Sequence, residues 1–354
     1  MGKSKFRNEG IVAWRSPSNI ALVKYWGKYG IQLPRNASVS FTLSNAFTEM
    51  QIAYSPKEDQ SETISLDFLF EEKEQPKFKE KINRFLESIR SYLPYLDDFH
   101  LNIKSRNSFP HSTGIASSAS SMSALALCLC QIENEIEGKT EMDESFYQKA
   151  SRIARLGSGS ACRSIYPYLV LWGDLAQVAN SSNEIALPVF QEEHPVFKTF
   201  QDSILIIDST VKSVSSRAGH ALMDTNPYAE ARYKQANSHA VALLEAMRVG
   251  DLELWGSIVE KEALTLHALM MASEPPFILM RPQTLTVIEK IREYRQTRKK
   301  PVYFTLDAGP NVHMLYPENI KDEITYFIEQ ELVPLCENGR VIQDQVGEGP
   351  IEIK

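Results

Sequence analysis

Within SPSNIALVKYWGK, from Ser16 to Lys28, two ammonium groups and two aromatic rings fall close together: Lys24, Tyr25, Trp26 and Lys28. Two lysines converging from one short turn can hold a diphosphate as point charges. RLGSGSACRS, from Arg155 to Ser164, joins a donor-rich turn of Gly157, Ser158, Gly159 and Ser160 to Arg163, whose planar guanidinium suits bidentate binding of a carboxylate. In FTLDAGPNV, from Phe304 to Val312, Asp307 stands where an apolar strand gives way to a Gly-Pro turn. That is a rigid place from which to aim a carboxylate as a base. In DSTVKSVSSRAG, from Asp208 to Gly219, Lys212, Ser215, Ser216 and Arg217 can bind anions. The serines there equally suit the start of a helix. FPHSTGIASSAS, from Phe109 to Ser120, is a small-residue loop around Gly114 that feeds a helical run opening at Ser117 and Ser118. Free backbone N–H groups and the positive end of the helix dipole can cradle phosphate there. The strict nucleotide patterns G-x-x-x-x-G-K-[ST] and G-x-G-x-x-G after a strand are both absent. Singly, each segment also has a plain structural reading as capping, close packing or a turn aspartate bonding its own backbone.

The elements that must position these residues are legible from periodicity. Ile11–Trp14, Ile20–Val23, Ser38–Leu43, Met50–Tyr54, Ile64–Phe70 and Phe99–Ile103 read as strands. Lys77–Tyr92 reads as an amphipathic helix with Phe78, Ile82, Phe85, Leu86 and Ile89 on one face. Ser117–Ile136 and Ser145–Arg155 read as further helices, and Leu169–Trp172 with Leu175–Val178 as a hairpin around Gly173-Asp174. Beyond residue 190 come a strand at Ser203–Ile207 and long helices at Ala229–Arg248 and Leu252–Ala272, joined at a C-capping Gly250. A helix at Pro282–Arg298 follows, then strands Val302–Leu306 and Val312–Leu315, a helix Asp322–Leu332 and a last strand Arg340–Val346. Strands followed by helices in each half predict an α+β fold rather than a doubly wound sheet. The proline-containing, charged stretch Pro188–Phe197 predicts a boundary between domains 1–190 and 191–354.

With 354 residues, 43% of them hydrophobic, the chain can build two packed cores. Its net charge of −7 disfavours a nucleic-acid-binding surface as the main function. No apolar run approaches the ~20 residues of a membrane span. The charged start MGKSKFRNEG reads as no signal peptide. Cys128, Cys130, Cys162 and Cys336 lack C-x-x-C spacing and read as buried free thiols of a cytoplasmic protein.

Together, NIALVKYWGK, LPRNASVSFTL, FPHSTGIASSAS, RLGSGSACRS, VSSRAGH and DAGPN resemble the mevalonate diphosphate decarboxylase family of the GHMP kinase superfamily. The resemblance runs from Ser16 into the C-terminal region, in the same order. KYWGK, GSGSACRS and DAGPN are specific to the decarboxylase branch, whereas the phosphate loop alone indicates the superfamily.

The resemblance implies two α+β domains of the GHMP-kinase-like type with an active site in the cleft between them, and often a homodimer. It implies ATP and Mg²⁺ as cofactors and mevalonate 5-diphosphate as the small-molecule substrate. The 3-hydroxyl is phosphorylated, phosphate departs, and loss of the carboxylate yields isopentenyl diphosphate. It assigns Asp307, Lys24 and Arg163 to catalysis, with Asp307 on the tertiary hydroxyl, Lys24 beside it and Arg163 on the substrate carboxylate. It assigns Tyr25, Trp26, Lys28, Ser158, Ser160, Lys212 and Ser215 to the substrate, and Pro110, Gly114, Ala116, Ser117 and Ser118 to ATP. It names no protein ligand for the metal. The usual family loop P-T-A-A-G-L-A-S-S-A is altered at His111, Ser112, Thr113 and Ile115, and the Arg-Asp that commonly follows KYWGK is missing. A phosphomevalonate decarboxylase and a mevalonate 3-kinase-like enzyme are the alternatives on the same fold. A catalytically silent ligand-binding member fits poorly with intact Asp307, Lys24 and Arg163.

Overall fold

The computed structural model describes residues 9–58, 63–109, 117–189, 193–210 and 214–354. Pro110, Gly114, Ala116 and Lys212, and with them His111, Ser112, Thr113 and Ile115, lie outside the described residues. The first sheet is built on two long strands, β1 (Gly10–Val23) and β4 (Ser38–Pro56), with a small ribbon, β2 (Lys28–Tyr29) and β3 (Leu33–Pro34), in the loop between them. It continues through β5 (Ser65–Phe70), β6 (Lys73–Glu74), β7 (Phe99–Asn107), β8 (Leu169–Trp172) and β9 (Ala186–Pro188). The second sheet holds β10 (Gln201–Leu205), β11 (Tyr303–Thr305), β12 (Val312–Tyr316) and β13 (Val341–Gln345) in the order β11-β12-β10-β13. The final strand β14 (Ile351–Glu352) returns to the edge of the first sheet beside β1. Among the described residues only β5 and β7 pair in parallel, so the expected α+β class holds.

Two strands are longer than their patterns predict. In β1 the register shifts between Pro17 and Asn19, where proline cannot donate to the ladder. In β4 the exposed Ser44 and Asn45 interrupt the apolar pattern. The Asp344 carboxylate accepts from the N–H groups of Ser44, Asn45 and Ala46 at 2.8, 2.8 and 2.7 Å, which keeps the strand continuous through the bend. The hairpin expected at Gly173-Asp174 does not form: β8 pairs with β9, and Leu175–Val178 is a turn. Asn183 and Ser181 supply the acceptors for the Asp174 and Leu175 N–H groups in that loop.

Helices α1 (Pro76–Ile89), α2 (Ser117–Glu137) and α3 (Glu144–Gly157) cover the first sheet. The apolar face predicted for α1 is the one buried, at Ile82, Phe85, Leu86 and Ile89. Helix α2 is buried on almost every side, and its serines are paired within the layer: Ser123 with Ser16 at 2.5 Å and Ser120 with Thr48 at 2.7 Å. Small residues at its start let it sit close on β1 and β4. In the second half come α4 (Ser216–Ala221), α5 (Ala229–Val249), α6 (Leu252–Met271), α7 (Pro282–Arg298) and α8 (Lys321–Phe327). Gly250 caps α5 at φ +78°, as its position predicts. Trp255, Phe197 and Phe200 fill the core shared by α5, α6 and the inner strands of both sheets. All four cysteines are buried and free. Among the described residues no helix is long and apolar enough to cross a membrane.

Candidate active site

A cleft of about 470 Å³ gathers the motif residues from both halves of the chain. The end of β1 and the loop after it bring Lys24, Tyr25, Trp26 and Lys28; the start of α2 brings Ser117 and Ser118. The turn after α3 and the 3₁₀ helix Gly159–Ile165 bring Ser158, Ser160 and Arg163; Ser215 and Asp307 enter from the second half. A larger groove, about 1000 Å³, lies between α6 and α7, but Arg292 and Arg295 there are already paired with Glu260 and none of the described motif residues lines it.

Asp307 follows β11 at the start of the DAGPN turn. Asn311 holds that turn to the end of β10 by accepting from the Ile207 and Asp208 N–H groups at 2.7 and 3.1 Å. The Asp307 side chain is 29% exposed and faces Lys24, whose Nζ donates to Oδ1 at 2.9 Å and to the Ala21 carbonyl at 2.6 Å. Lys24 is 2% exposed. Burial lowers its pKa, and the neighbouring Asp307 works in the opposite direction.

Arg163 is not the exposed arginine that a glycine-rich turn allows. It is 2% exposed, with Nη1 donating to Ser38 Oγ at 2.6 Å and Nη2 to Asn19 Oδ1 at 3.1 Å. Among the described residues its Nε has no partner and no carboxylate lies within ion-pair distance. Burial pulls its pKa down. The Tyr25 hydroxyl is likewise buried without a partner, and burial raises its pKa. Two unmet buried donors beside one cleft are what a bound anion resolves.

The remaining assignments divide by role. Ser158 Oγ lies 3.2 Å from Ser118 Oγ, bringing the α3 turn against the start of α2. Ser160 lines the cleft while its carbonyl accepts from Asn19 Nδ2 at 3.2 Å. Lys28 Nζ donates to Gln32 Oε1 at 3.0 Å at the cleft rim. Ser215 is the N-cap of α4, accepting from the Ala218 N–H at 3.2 Å, so the capping reading of that serine is realised at the cleft wall. Trp26 is 4% exposed and packs on His220 at 4.6 Å between ring centroids.

Sequence reasoning passed over His220, Asn19, Lys81 and Ser38. The first three line the cleft, and Ser38 anchors Arg163 from beneath. His220 stacks against Tyr25 at 4.3 Å and accepts from the Gly27 N–H through Nδ1 at 3.0 Å. An accepting Nδ1 requires the neutral ring, and burial accordingly depresses its pKa to about 3. Gly27 itself sits at φ +96°, a conformation a side chain rarely adopts. The signal for Asn19 was a polar amide inside an apolar strand, and for His220 its place in VSSRAGH.

One cleft thus gathers a carboxylate paired with a buried lysine, a buried guanidinium and the serines of a helix start. Fold and cleft together place the chain among the GHMP-type enzymes. Comparison with known proteins narrows the class. A family model described as the diphosphomevalonate decarboxylase-like N-terminal domain matches residues 16–183, and one described as the mevalonate 5-diphosphate decarboxylase C-terminal domain matches residues 203–351. The diphosphomevalonate decarboxylase of Ganoderma lucidum is 29% identical over 341 residues, covering 91% of this chain and 82% of that protein. The crystal structure of mevalonate diphosphate decarboxylase from Staphylococcus aureus superposes with a TM-score of 0.82 at 28% identity, covering 98% of each chain. A structure of MDDEF in complex with MVAPP, AMPPCP and magnesium gives 0.81 at 27%, covering 97% of this chain and 99% of that one. The chain belongs to the diphosphomevalonate decarboxylase family.

Proposed function

We propose that this chain catalyses the ATP-dependent decarboxylation of mevalonate 5-diphosphate to isopentenyl diphosphate, releasing ADP, phosphate and carbon dioxide. The observation that carries the reading is Arg163: a buried guanidinium with an unpartnered Nε, opening on the same cleft as the Lys24–Asp307 pair. Phosphorylation needs only a placed hydroxyl and a phosphate donor. A second, buried cation is needed when the substrate also presents a carboxylate that must be aligned.

In this reading Asp307 orients the tertiary 3-hydroxyl and takes its proton as the oxygen–phosphorus bond forms. A carboxylate with an ordinary pKa of ~3.9 is a weak base toward an alcohol, so transfer comes late and orientation carries much of the effect. Lys24 keeps Asp307 ionised and in place. Arg163 holds the C1 carboxylate, with Asn19 and Ser38 fixing the guanidinium from behind. When phosphate leaves C3, the electrons of the C1–C2 bond form the new double bond and carbon dioxide departs. Ser158 and Ser160 lie close to that C1 carboxylate, and Tyr25 and Lys28 face the substrate diphosphate. Trp26 shapes that wall, Ser215 caps the helix beside it, and Lys212 is a further cation for it.

ATP is assigned to the start of α2, at Ser117 and Ser118, together with Pro110, Gly114 and Ala116. The donors present fit a magnesium ion carried chiefly by phosphate oxygens: serine hydroxyls and the single carboxylate Asp307, with no group of three or more His, Cys, Asp or Glu among the described residues. Bound there, Mg²⁺ neutralises phosphate charge. The test is incubation with ATP, Mg²⁺ and either mevalonate 5-phosphate or mevalonate 5-diphosphate, with ADP, phosphate and carbon dioxide scored separately. Equal release of all three from the diphosphate supports the reading. ADP without carbon dioxide overturns it in favour of a kinase, and preference for the monophosphate overturns the substrate assignment.

A further inference from the structure

Lys24 is the first residue past β1, so the strand ladder no longer serves its backbone N–H and C=O, and the residue is buried. Side chains take over, two of them from the second half of the chain. Glu262 on α6 accepts the Lys24 N–H through Oε2 at 2.9 Å. Arg232 on α5 donates from Nη2 to the Lys24 carbonyl at 3.2 Å, and Asn36 Nδ2 donates to the same oxygen at 3.0 Å. Glu262 and Arg232 hold one another through two hydrogen bonds of 2.6 and 2.5 Å, and His239 Nδ1–H donates to Glu262 at 2.5 Å. Burial pushes the Glu262 pKa up, but the hydrogen bonds from Arg232 and His239 outweigh it and hold it at about 2.

A buried ion pair of this kind is a poor device for joining two helices, because apolar residues of the same volume do so at least as well. What it does here is grip one peptide segment, that of Lys24. Further along the same helix, His267 Nε2 lies 3.1 Å from the backbone carbonyl of Asp307. A carbonyl only accepts, so Nε2 carries the proton. Lys24 and Asp307 are 283 positions apart in sequence, yet both are tied by their backbones to α6. Neither Glu262 nor His267 lines the cleft.

We infer that Glu262, braced by Arg232, and His267 are positioning residues, through which α6 sets the separation of Lys24 and Asp307. The inference rests on reading that pair as catalytic. Its consequence is kinetic, since misplacing a reacting group by about 1 Å can cost about 10²-fold in rate.

The test uses the full chain. Glu262→Gln leaves the Arg232 charge unpaired and can fail to fold, so the paired variant Glu262→Leu/Arg232→Met removes both charges together, and His267→Leu removes the grip at the Asp307 end. For each, kcat, the KM for both substrates, the pH profile of kcat and the melting temperature are measured. The paired variant is expected to lose roughly 10- to 100-fold in kcat with KM held within about 3-fold. The acid limb of its profile is expected to move to higher pH. Lys24 and Asp307 act on one another, and the substitution releases the backbone that holds Lys24. His267→Leu is expected to lower kcat in the same way. A merely structural role lowers the melting temperature and leaves the acid limb where it was. Folded variants with parental kcat and an unmoved limb overturn the inference. If Asp307→Asn is inactive while these variants are unimpaired, positioning alone falls; if Asp307→Asn is active, the catalytic reading falls first.

Discussion

In the proposed mechanism Asp307 and Arg163 separate the two halves of the chemistry. Asn at position 307 keeps the shape of the side chain and removes the accepting charge that Lys24 meets at 2.9 Å. Asp307→Asn is therefore expected to lower kcat by about 10²- to 10⁴-fold while both substrates still bind. Steady-state kinetics with a separate binding titration checks this, and a near-normal kcat removes the base from the mechanism. Arg163 is held by two different acceptors, Ser38 and Asn19, which fix the plane of the guanidinium. Lysine cannot satisfy both and still present parallel donors. Arg163→Lys should raise KM, lower kcat, and let ADP release exceed carbon dioxide release. Stoichiometric carbon dioxide at unchanged kinetics would return Arg163 to a packing role. These residues were legible because their motifs are short and chemically unusual. His220 and Glu262 were not, because their importance lies in partners far along the chain: Gly27 for one, Lys24 for the other.

At the scale of elements, the 3₁₀ helix Gly159–Ile165 brings Gly159, Ser160 and Arg163 to the cleft. Gly159 begins it where a Cβ would stand 2.9 Å from both the Trp172 ring and the Tyr25 ring and hydroxyl. Two aromatic rings in edge contact at 4.7 Å between centroids cannot both retreat. Gly159→Ala should cost about 1–3 kcal/mol by overpacking and should raise KM for the diphosphate substrate by displacing the Tyr25 hydroxyl. Calorimetry and kinetics on the same preparation test it; parental melting and KM would mean that the rings have room to shift. The helices were readable because their apolar faces repeat over many turns, as in α1 and α6. The strands were readable in part. β1 and β4 each looked like two strands because Pro17 and the Ser44–Asn45 pair are turn-formers, and the contacts that carry the chain through, such as Asp344 on the β4 bend, come from more than 290 positions away. The β8 hairpin was misplaced for the related reason that Gly-Asp marks a turn without saying which strand closes it.

For the molecule as a whole, the two halves meet at a stack of Tyr25, His220 and Trp26, so the ionisation of one ring bears on the stability of the entire fold. The unfolded chain takes up a proton on His220 near pH ~6.5. In the folded chain burial, with Lys28 nearby adding to it, holds the pKa at about 3. Between those values the unfolded state binds more protons, so acidification favours unfolding. Glu262, lowered from 4.5 to about 2, adds to the same trend once the pH drops below 4.5. Asp344 runs the other way. Burial raises it from 3.8 to about 6, so across that window the folded state binds the extra proton and acidification favours folding. The overlap of the His220 and Asp344 windows flattens the parental stability curve, and the His220 contribution is seen only by difference. His220→Asn offers an acceptor for the Gly27 N–H without a titrating ring. The variant should be less stable than the parent at pH 7, and the gap should close on acidification by at most about 1.4 kcal/mol per pH unit below pH ~6.5. Calorimetric melting of both proteins at pH 7, 6 and 5 measures that gap directly. A gap that stays constant across the three would mean that His220 is no more reluctant to accept a proton in the folded chain than in the unfolded one.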